Sequence, residues 1–363
     1  MRLLVTSTAG AGHYGPLAAF VRSFLGTGHD VLVAGPPALR PAVRDAEFWP
    51  LGAPAQADLE AVFARLPHLS HDEANAVVIR EVFARLDAGA ALPRAREAVA
   101  TWRPDVVLHE SAEFAGPIAA AEHGVPHARV GIGLGVMERL MWELARPCLP
   151  GAFDHETEPH LTLFPESIED PAVAPFGRTA RFRDPSWLPA RTGDPLVYVT
   201  FGSVAGGMAM TAAVYRAALA AVADLPVPVV LTVGRDADPA SFGPTPAHVR
   251  VAQWVDQAEV LATASAVVCH GGGGSTLGAL AAGVPLVVVP LFAEDQHLNA
   301  RRVAAVGAGV HADPSSIRAA LDTVLTEPSY RAAAAALAAE LAAQPSTDTA
   351  ADTLAAYWSE VDS

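Results

Sequence analysis

Residues 2–35 read RLLVTSTAGAGHYGPLAAFVRSFLGTGHDVLVAG, and their punctuation decides the fold class. Residues 2–6 form a short β-prone run, residues 8–16 are rich in glycine, and residues 17–25 repeat apolar side chains at helical spacing. Gly26 and Gly28 stop the helix, and residues 30–34 open a second β-prone run. The order strand, loop, helix, strand recurs downstream. Pro104-Asp105 leads into Val106-Val107-Leu108, a helix is expected over 113–123, and Gly124-Val125-Pro126 closes the unit. The series resumes with apolar runs at 196–200, 227–233, 266–269 and 286–289, and the alanine-rich tract 331–343 keeps Leu337 and Leu341 at helical spacing. Strands alternating with helices in this way predict α/β domains built on parallel sheets.

A chain of 363 residues is long enough for two such domains. Between them Pro165, Pro171, Pro175, Pro185 and Pro189 crowd together with Arg178, Arg181, Arg183 and Arg191, a density that breaks regular elements. The expected division is an N-terminal domain over 1–180, a linker over 181–194 and a C-terminal domain over 195–345. Residues 346–363 are expected to form a final helix packed back on the N-terminal domain.

The formal charge is -15, from 24 basic and 39 acidic residues, which argues against a nucleic-acid partner or an anionic membrane surface. Every basic residue is arginine. The lack of lysine removes P-loop, Schiff-base and kinase-type lysine chemistry together. Cys148 and Cys269 stand far apart without CxxC spacing, and the histidines include no HExxH, so no metal site is expected. No apolar stretch approaches the ~20 residues of a membrane span, and the N-terminus has no signal-peptide layout, so a cytoplasmic protein is expected. Any anionic ligand must be held by local devices.

One such device is written at Cys269-His270-Gly271-Gly272-Gly273-Gly274-Ser275-Thr276. It follows an apolar strand and precedes a helix expected to begin near Ser275. Glycines let the backbone approach a ligand, and a helix start offers unpaired N–H groups at a positive dipole end. Ser275 and Thr276 add hydroxyls, and His270 can donate to an anionic oxygen. The set suits a diphosphate and needs neither lysine nor metal. A glycine run alone is equally a tight strand-to-helix turn; the flanking polar residues favour the ligand.

From Trp254 to Asn299 the chain resembles the nucleotide-sugar signature of the family 1 glycosyltransferases, above all those of bacterial antibiotic and macrolide pathways. That family has the GT-B fold, two Rossmann-like parallel-sheet domains facing each other across a cleft. The Gly12-His13-Tyr14-Gly15-Pro16 run and the linker position match as well. The resemblance implies that Trp254 lies in the nucleobase pocket, with Val255 and Gln257 near base and ribose. It places His270 on a diphosphate oxygen and Gly272, Gly273, Gly274, Ser275 and Thr276 around the phosphates. Asp295 and Gln296 would bond the donor sugar, and Gly202 and Ser203 would form another close backbone approach to the donor. Where UDP-sugar-using relatives often carry a ribose-binding Glu, this chain has Gly278, which favours a dTDP donor.

Gly10-Ala11-Gly12-His13-Tyr14-Gly15 also spells GxGxxG after a strand, which raises a dinucleotide-dependent oxidoreductase as an alternative. That reading expects an acid at the end of the next strand; residues 31–36 contain none. In the transferase reading His13, expected on a loop at the carboxyl end of the first strand, takes a proton from the attacking acceptor hydroxyl. Attack from the face opposite the diphosphate inverts the anomeric carbon. The family commonly supplies an orienting Asp after the strand opened by Pro-Asp; here Glu110 holds that position, with Glu113 in reserve. Both are equally read as acids at the start of the following helix. His109 reads as cleft-lining or structural. Phe63, Leu66, Leu69, Phe83, Met137, Met141 and Trp142 are candidates for an apolar acceptor pocket or for plain core.

The expected protein is therefore a metal-independent, inverting hexosyltransferase that moves a deoxysugar from a dTDP donor to a small apolar natural product such as a polyketide aglycone. No cofactor beyond the nucleotide sugar is expected, and a homodimer is left open. A non-catalytic GT-B relative that binds nucleotide sugar as a helper subunit is the alternative, since Glu replaces Asp.

Overall fold

The computed structural model of the protein describes residues 1–187, 195–203, 205–235 and 237–361. They divide into two compact units. One contains Met1–Phe164, Asp170–Pro185 and Pro345–Ser363, the other Pro165–Glu169 and Ser186–Gln344. Each unit holds one sheet in which every strand pair is parallel.

The first sheet comprises β1 (Arg2–Thr6), β2 (Asp30–Gly35), β3 (Glu47–Pro50), β4 (Val106–Glu110), β5 (His127–Val130), β6 (His160–Thr162) and β7 (Thr179–Arg181). Their order is β3-β2-β1-β4-β5-β6-β7. The second comprises β8 (Leu196–Thr200), β9 (Val229–Thr232), β10 (Val249–Ala252), β11 (Ala264–Cys269), β12 (Leu286–Val288) and β13 (Gly309–His311), in the order β10-β9-β8-β11-β12-β13. Strand order reverses between β1 and β4 in one sheet and between β8 and β11 in the other. The crevice beyond the carboxyl ends of strands at such a reversal is where open α/β sheets bind ligands.

Helices cover both faces of a parallel sheet, so its strands read as unbroken apolar runs. Leu3, Leu4 and Val5 of β1 are all fully buried, as are Val106, Val107 and Leu108 of β4. In the second unit Val197, Val199, Ala266, Val268 and Val287 share one core with Phe201, Tyr215 and Leu321. Each large apolar side chain so buried contributes ~1.5–3 kcal/mol.

Three expectations change. The first helix spans Ala11–Gly26 and takes in the glycine-rich run that reads as a loop. Burial of Tyr14, Leu17, Phe20, Val21 and Phe24 along one face outweighs the penalties of its glycines and of Pro16. The helices expected from Ser275 and over 113–123 span Gly273–Ala281 and Ala115–Glu122. The proline-rich segment is more than a linker: it contributes the edge strand β7, a position that tolerates proline. Just beyond it Phe182 is buried, its ring edge-on to Phe20 at 5.6 Å, and Arg183 N–H donates to Pro345 O at 2.9 Å. Residues 188–194 of the expected linker lie outside the described residues.

After Pro345 the chain stays in the first unit, where the helix Ala350–Val361 closes it and Ser23 Oγ lies 2.7 Å from Thr347 Oγ1. No helix among the described residues is long and apolar enough to cross a membrane.

Candidate active site

At the reversal point of the first sheet, Thr8 follows β1 and Glu110 ends β4, its neighbour. His13 is the third residue of the Ala11–Gly26 helix rather than a loop residue. The turn into that helix is made at Gly10, whose φ of 119° suits only glycine. His13 Nδ1–H donates to Glu110 Oε1 at 3.2 Å. The Thr8 hydroxyl and amide donate to the same oxygen at 2.8 and 3.2 Å, and Ala112 N–H donates to Oε2 at 2.6 Å. Burial of Glu110 pushes its carboxyl upward, but His13, the Ala112 amide and the Thr8 hydroxyl together hold it below the ordinary carboxylate range. The result is an ionised carboxylate that orients an imidazole. Glu113 is placed differently: it accepts from the Ala115 and Gly116 amides and the Thr6 hydroxyl, capping the Ala115–Glu122 helix.

Phe83 packs edge-on against the His13 ring, centroids 5.3 Å apart. It sits on Val78–Asp87, a π-helical stretch between the helices His71–Val77 and Ala88–Trp102. Such wide windings recur at functional sites. Asp87, which sequence reasoning missed, lies one turn beyond. Its burial pushes the carboxyl up to about 6, against the pull of His13 and with the push of Glu110 and Glu113. A 3.6-residue periodicity gives no hint of a π-helical register. Of the other acceptor candidates, Met137 and Met141 are core, Phe63 is exposed, and Trp142 stacks on His155 at 3.9 Å.

In the second unit Gly202 follows β8 and His270 follows the neighbouring β11, again at the reversal point. Gly202 has φ 91°, and a Cβ there would stand 3.1 Å from His270 Cε1. A Cβ on Gly272 would overlap His270 Nε2 and stand 2.8 Å from Cε1. The two glycines thus keep the flanks of the imidazole clear. Gly272 caps the Gly273–Ala281 helix, whose first amides, from Gly273 to Ser275, have no acceptors within it. His270 Nδ1, Thr276 Oγ1 and Gln257 Nε2 are buried with no hydrogen-bond partner among the described residues. Burial lowers the His270 imidazole to about 4, so the ring is neutral at pH 7. Orphaned buried polar groups cost ~1–3 kcal/mol each. His270 Nδ1 and Thr276 Oγ1 flank the start of the Gly273–Ala281 helix, and Gln257 Nε2 lies beside Gly278 in its second half.

Gln257 also borders a cavity of about 180 Å³ with Trp187, Leu261, Gly274 and Gly278. A Cβ on Gly278 would meet Leu261 Cδ1 at 2.9 Å and lie 3.8 Å from Gln257 Nε2. Trp187 was not foreseen, because nothing local ties that proline-rich segment to the helix it meets. Trp254 is 54% exposed beneath the Arg235 guanidinium at 4.7 Å, so it is a surface aromatic and not core. Val255 is buried and Ser203 exposed. Asp295 is half-buried in the first turn of the helix Glu294–Ala305. Gln296 Oε1 accepts from the Leu291 and Phe292 amides at 2.8 and 3.2 Å.

Two family descriptions match the chain: Erythromycin biosynthesis protein CIII-like, N-terminal domain, over residues 22–152, and its C-terminal counterpart over residues 216–357. Elloramycin glycosyltransferase ElmGT of Streptomyces olivaceus is 34% identical, covering 94% of this chain and 93% of its own. L-demethylnoviosyl transferase of Streptomyces niveus is 33% identical over 98% of each. The crystal structure of glycosyltransferase VinC in complex with dTDP superimposes with a TM-score of 0.76 at 25% identity, covering 98% of this chain and 99% of that one.

Proposed function

The chain belongs to the family 1 antibiotic glycosyltransferases of GT-B fold, and we propose that it moves a deoxysugar from a dTDP donor to a small apolar natural-product acceptor, with inversion and without a metal at the diphosphate. The observation that carries this reading is the trio of orphaned groups along the Gly273–Ala281 helix, His270 Nδ1 and Thr276 Oγ1 near its start and Gln257 Nε2 beside Gly278. The helix amides, Ser275 and Thr276 would bind the diphosphate; His270 would donate to one of its oxygens. Gly278 and the cavity beside Gln257 would receive the nucleoside, and the missing ribose acceptor fits a deoxyribose. VinC, solved with dTDP, supports the same nucleotide.

His13 would act as the base. Its Nδ1–H is held by ionised Glu110, so Nε2 takes the proton of the acceptor hydroxyl as the new oxygen–C1 bond forms. The bond from C1 to the phosphate oxygen breaks on the opposite face, and its electron pair stays on the diphosphate, steadied by preorganised dipoles. A shared attack and departure axis inverts C1. Asp295 and the Gln296 amide would hold the sugar hydroxyls. The deciding experiment gives the purified protein dTDP- and UDP-linked sugars with a panel of aglycones, with and without Mg²⁺. We expect an inverted glycoside from the dTDP donor at a rate indifferent to Mg²⁺. Retained configuration, or strict Mg²⁺ dependence, contradicts the reading.

A further inference from the structure

We propose that the first unit also binds a zinc ion, through His109 Nε2, His127 Nδ1 and Glu158 Oε2. His109 Nε2 lies 2.9 Å and His127 Nδ1 2.7 Å from the same carboxylate oxygen, and the three atoms lie within 4.8 Å of one another. Zinc bonds of ~2.0–2.2 Å put tetrahedral ligand atoms about 3.3 Å apart, so each of the two histidine–Glu158 separations would open by about half an ångström to admit the ion. Two imidazoles and a carboxylate are a donor set suited to zinc.

The surroundings fit a ligating site. His109 Nδ1–H donates to Glu110 O at 3.2 Å and Nε2–H donates to Glu158 Oε2, so the ion would take the place of the Nε2 proton. Arg129 Nη1 lies 3.2 Å from the other carboxylate oxygen of Glu158. Phe153 packs edge-on against both imidazoles, at 5.8 and 5.5 Å. Arg129 opposes a second cation, and Glu138, 3.6 Å from its Nε, offsets part of that charge. Around the cluster Trp142 Nε1, His155 Nδ1, His160 Nε2 and two Arg129 nitrogens are buried with no hydrogen-bond partner among the described residues. Trp142 Nε1 and the Arg129 nitrogens can only donate, so an acceptor, not the ion itself, would serve them. His127 and Glu158 line a cavity of about 630 Å³ that also touches Asp154, Arg178 and Tyr357. Three protein ligands beside a cavity leave a fourth position open. Because His109 precedes Glu110, the ion would fasten the strand end that carries the carboxylate on His13.

The test uses the full chain stripped by chelator dialysis and titrated with Co²⁺, a zinc substitute whose visible absorption reports low-symmetry nitrogen and oxygen ligation; Zn²⁺ then displaces it. One equivalent should bind. His127→Ala, at the cavity edge, and Glu158→Gln should each weaken binding by at least ~100-fold, beyond the 10–100-fold cost of outer-shell changes. His68→Ala, an exposed site outside the cluster, should bind as the unaltered protein does. The proposal is overturned if the unaltered protein gives no absorption band, or if the band persists in both ligand variants.

Discussion

Replacing Gly272 with alanine drives a methyl group into the His270 ring. The new Cβ would overlap Nε2 and stand 2.8 Å from Cε1 and 3.4 Å from Cδ2. Carbon and nitrogen atoms rest at ~3.5–4.0 Å, so the ring must retreat by roughly 1 Å. Gly272 has φ -61° and ψ 143°, which alanine adopts without strain, so folding should be spared. A hydrogen bond to a charged oxygen contributes ~1.5–3 kcal/mol. Losing its alignment should weaken dTDP binding by about 10- to 150-fold. Isothermal titration of dTDP into the unaltered protein, Gly272→Ala, His270→Ala and the double variant reads this directly. With the imidazole already gone, the methyl group has nothing to displace, so the double variant should bind no more weakly than His270→Ala. Unaltered affinity in Gly272→Ala, or a full second loss in the His270→Ala background, refutes the reasoning.

Glu110→Gln removes the anion that orients His13 and should lower kcat by about 10²–10⁴-fold with dTDP affinity unchanged; an unchanged kcat in steady-state assays counts against the pair. Burial raises the Asp87 carboxyl to about 6 from 3.8, so the native state holds that proton more tightly than the unfolded chain does. The stability is therefore full below about pH 4 and declines as pH rises through 6. Asp87→Asn should raise stability at pH 8 by at most about 3 kcal/mol and leave it unchanged below pH 4, and equal melting shifts at both pH values contradict this. Gly278→Glu brings a carboxylate to the cavity beside Gln257, where Leu261 must yield at its flexible end. Its UDP-to-dTDP affinity ratio should rise, and an unmoved ratio removes the argument for a deoxyribose donor.

Much of the fold was legible because parallel strands covered on both faces carry unbroken apolar runs, as in Leu3-Leu4-Val5, Val106-Val107-Leu108 and Ala266-Val267-Val268. The donor half was legible for a related reason: His270 and the glycines after it are contiguous in sequence and act through backbone amides. The start of the first helix was not, because local penalties for glycine and proline hide the buried stripe from Tyr14 to Phe24. Glu110 was reachable as a position after a strand, but sequence could not separate it from Glu113. Only the strand register shows that one carboxylate meets His13 while the other caps a helix. Asp87, Trp187 and the His109, His127, Glu158 cluster depend on contacts between distant segments and on π-helical winding. No local pattern encodes them.

The transfer chemistry rests on the His13 imidazole, and a single-turnover measurement at saturating donor and acceptor reaches it most directly. His13→Ala should slow product formation by about 10²–10⁴-fold while binding dTDP as the unaltered protein does. Product formed at the original rate by a His13→Ala protein with intact dTDP affinity would contradict the assignment of the base.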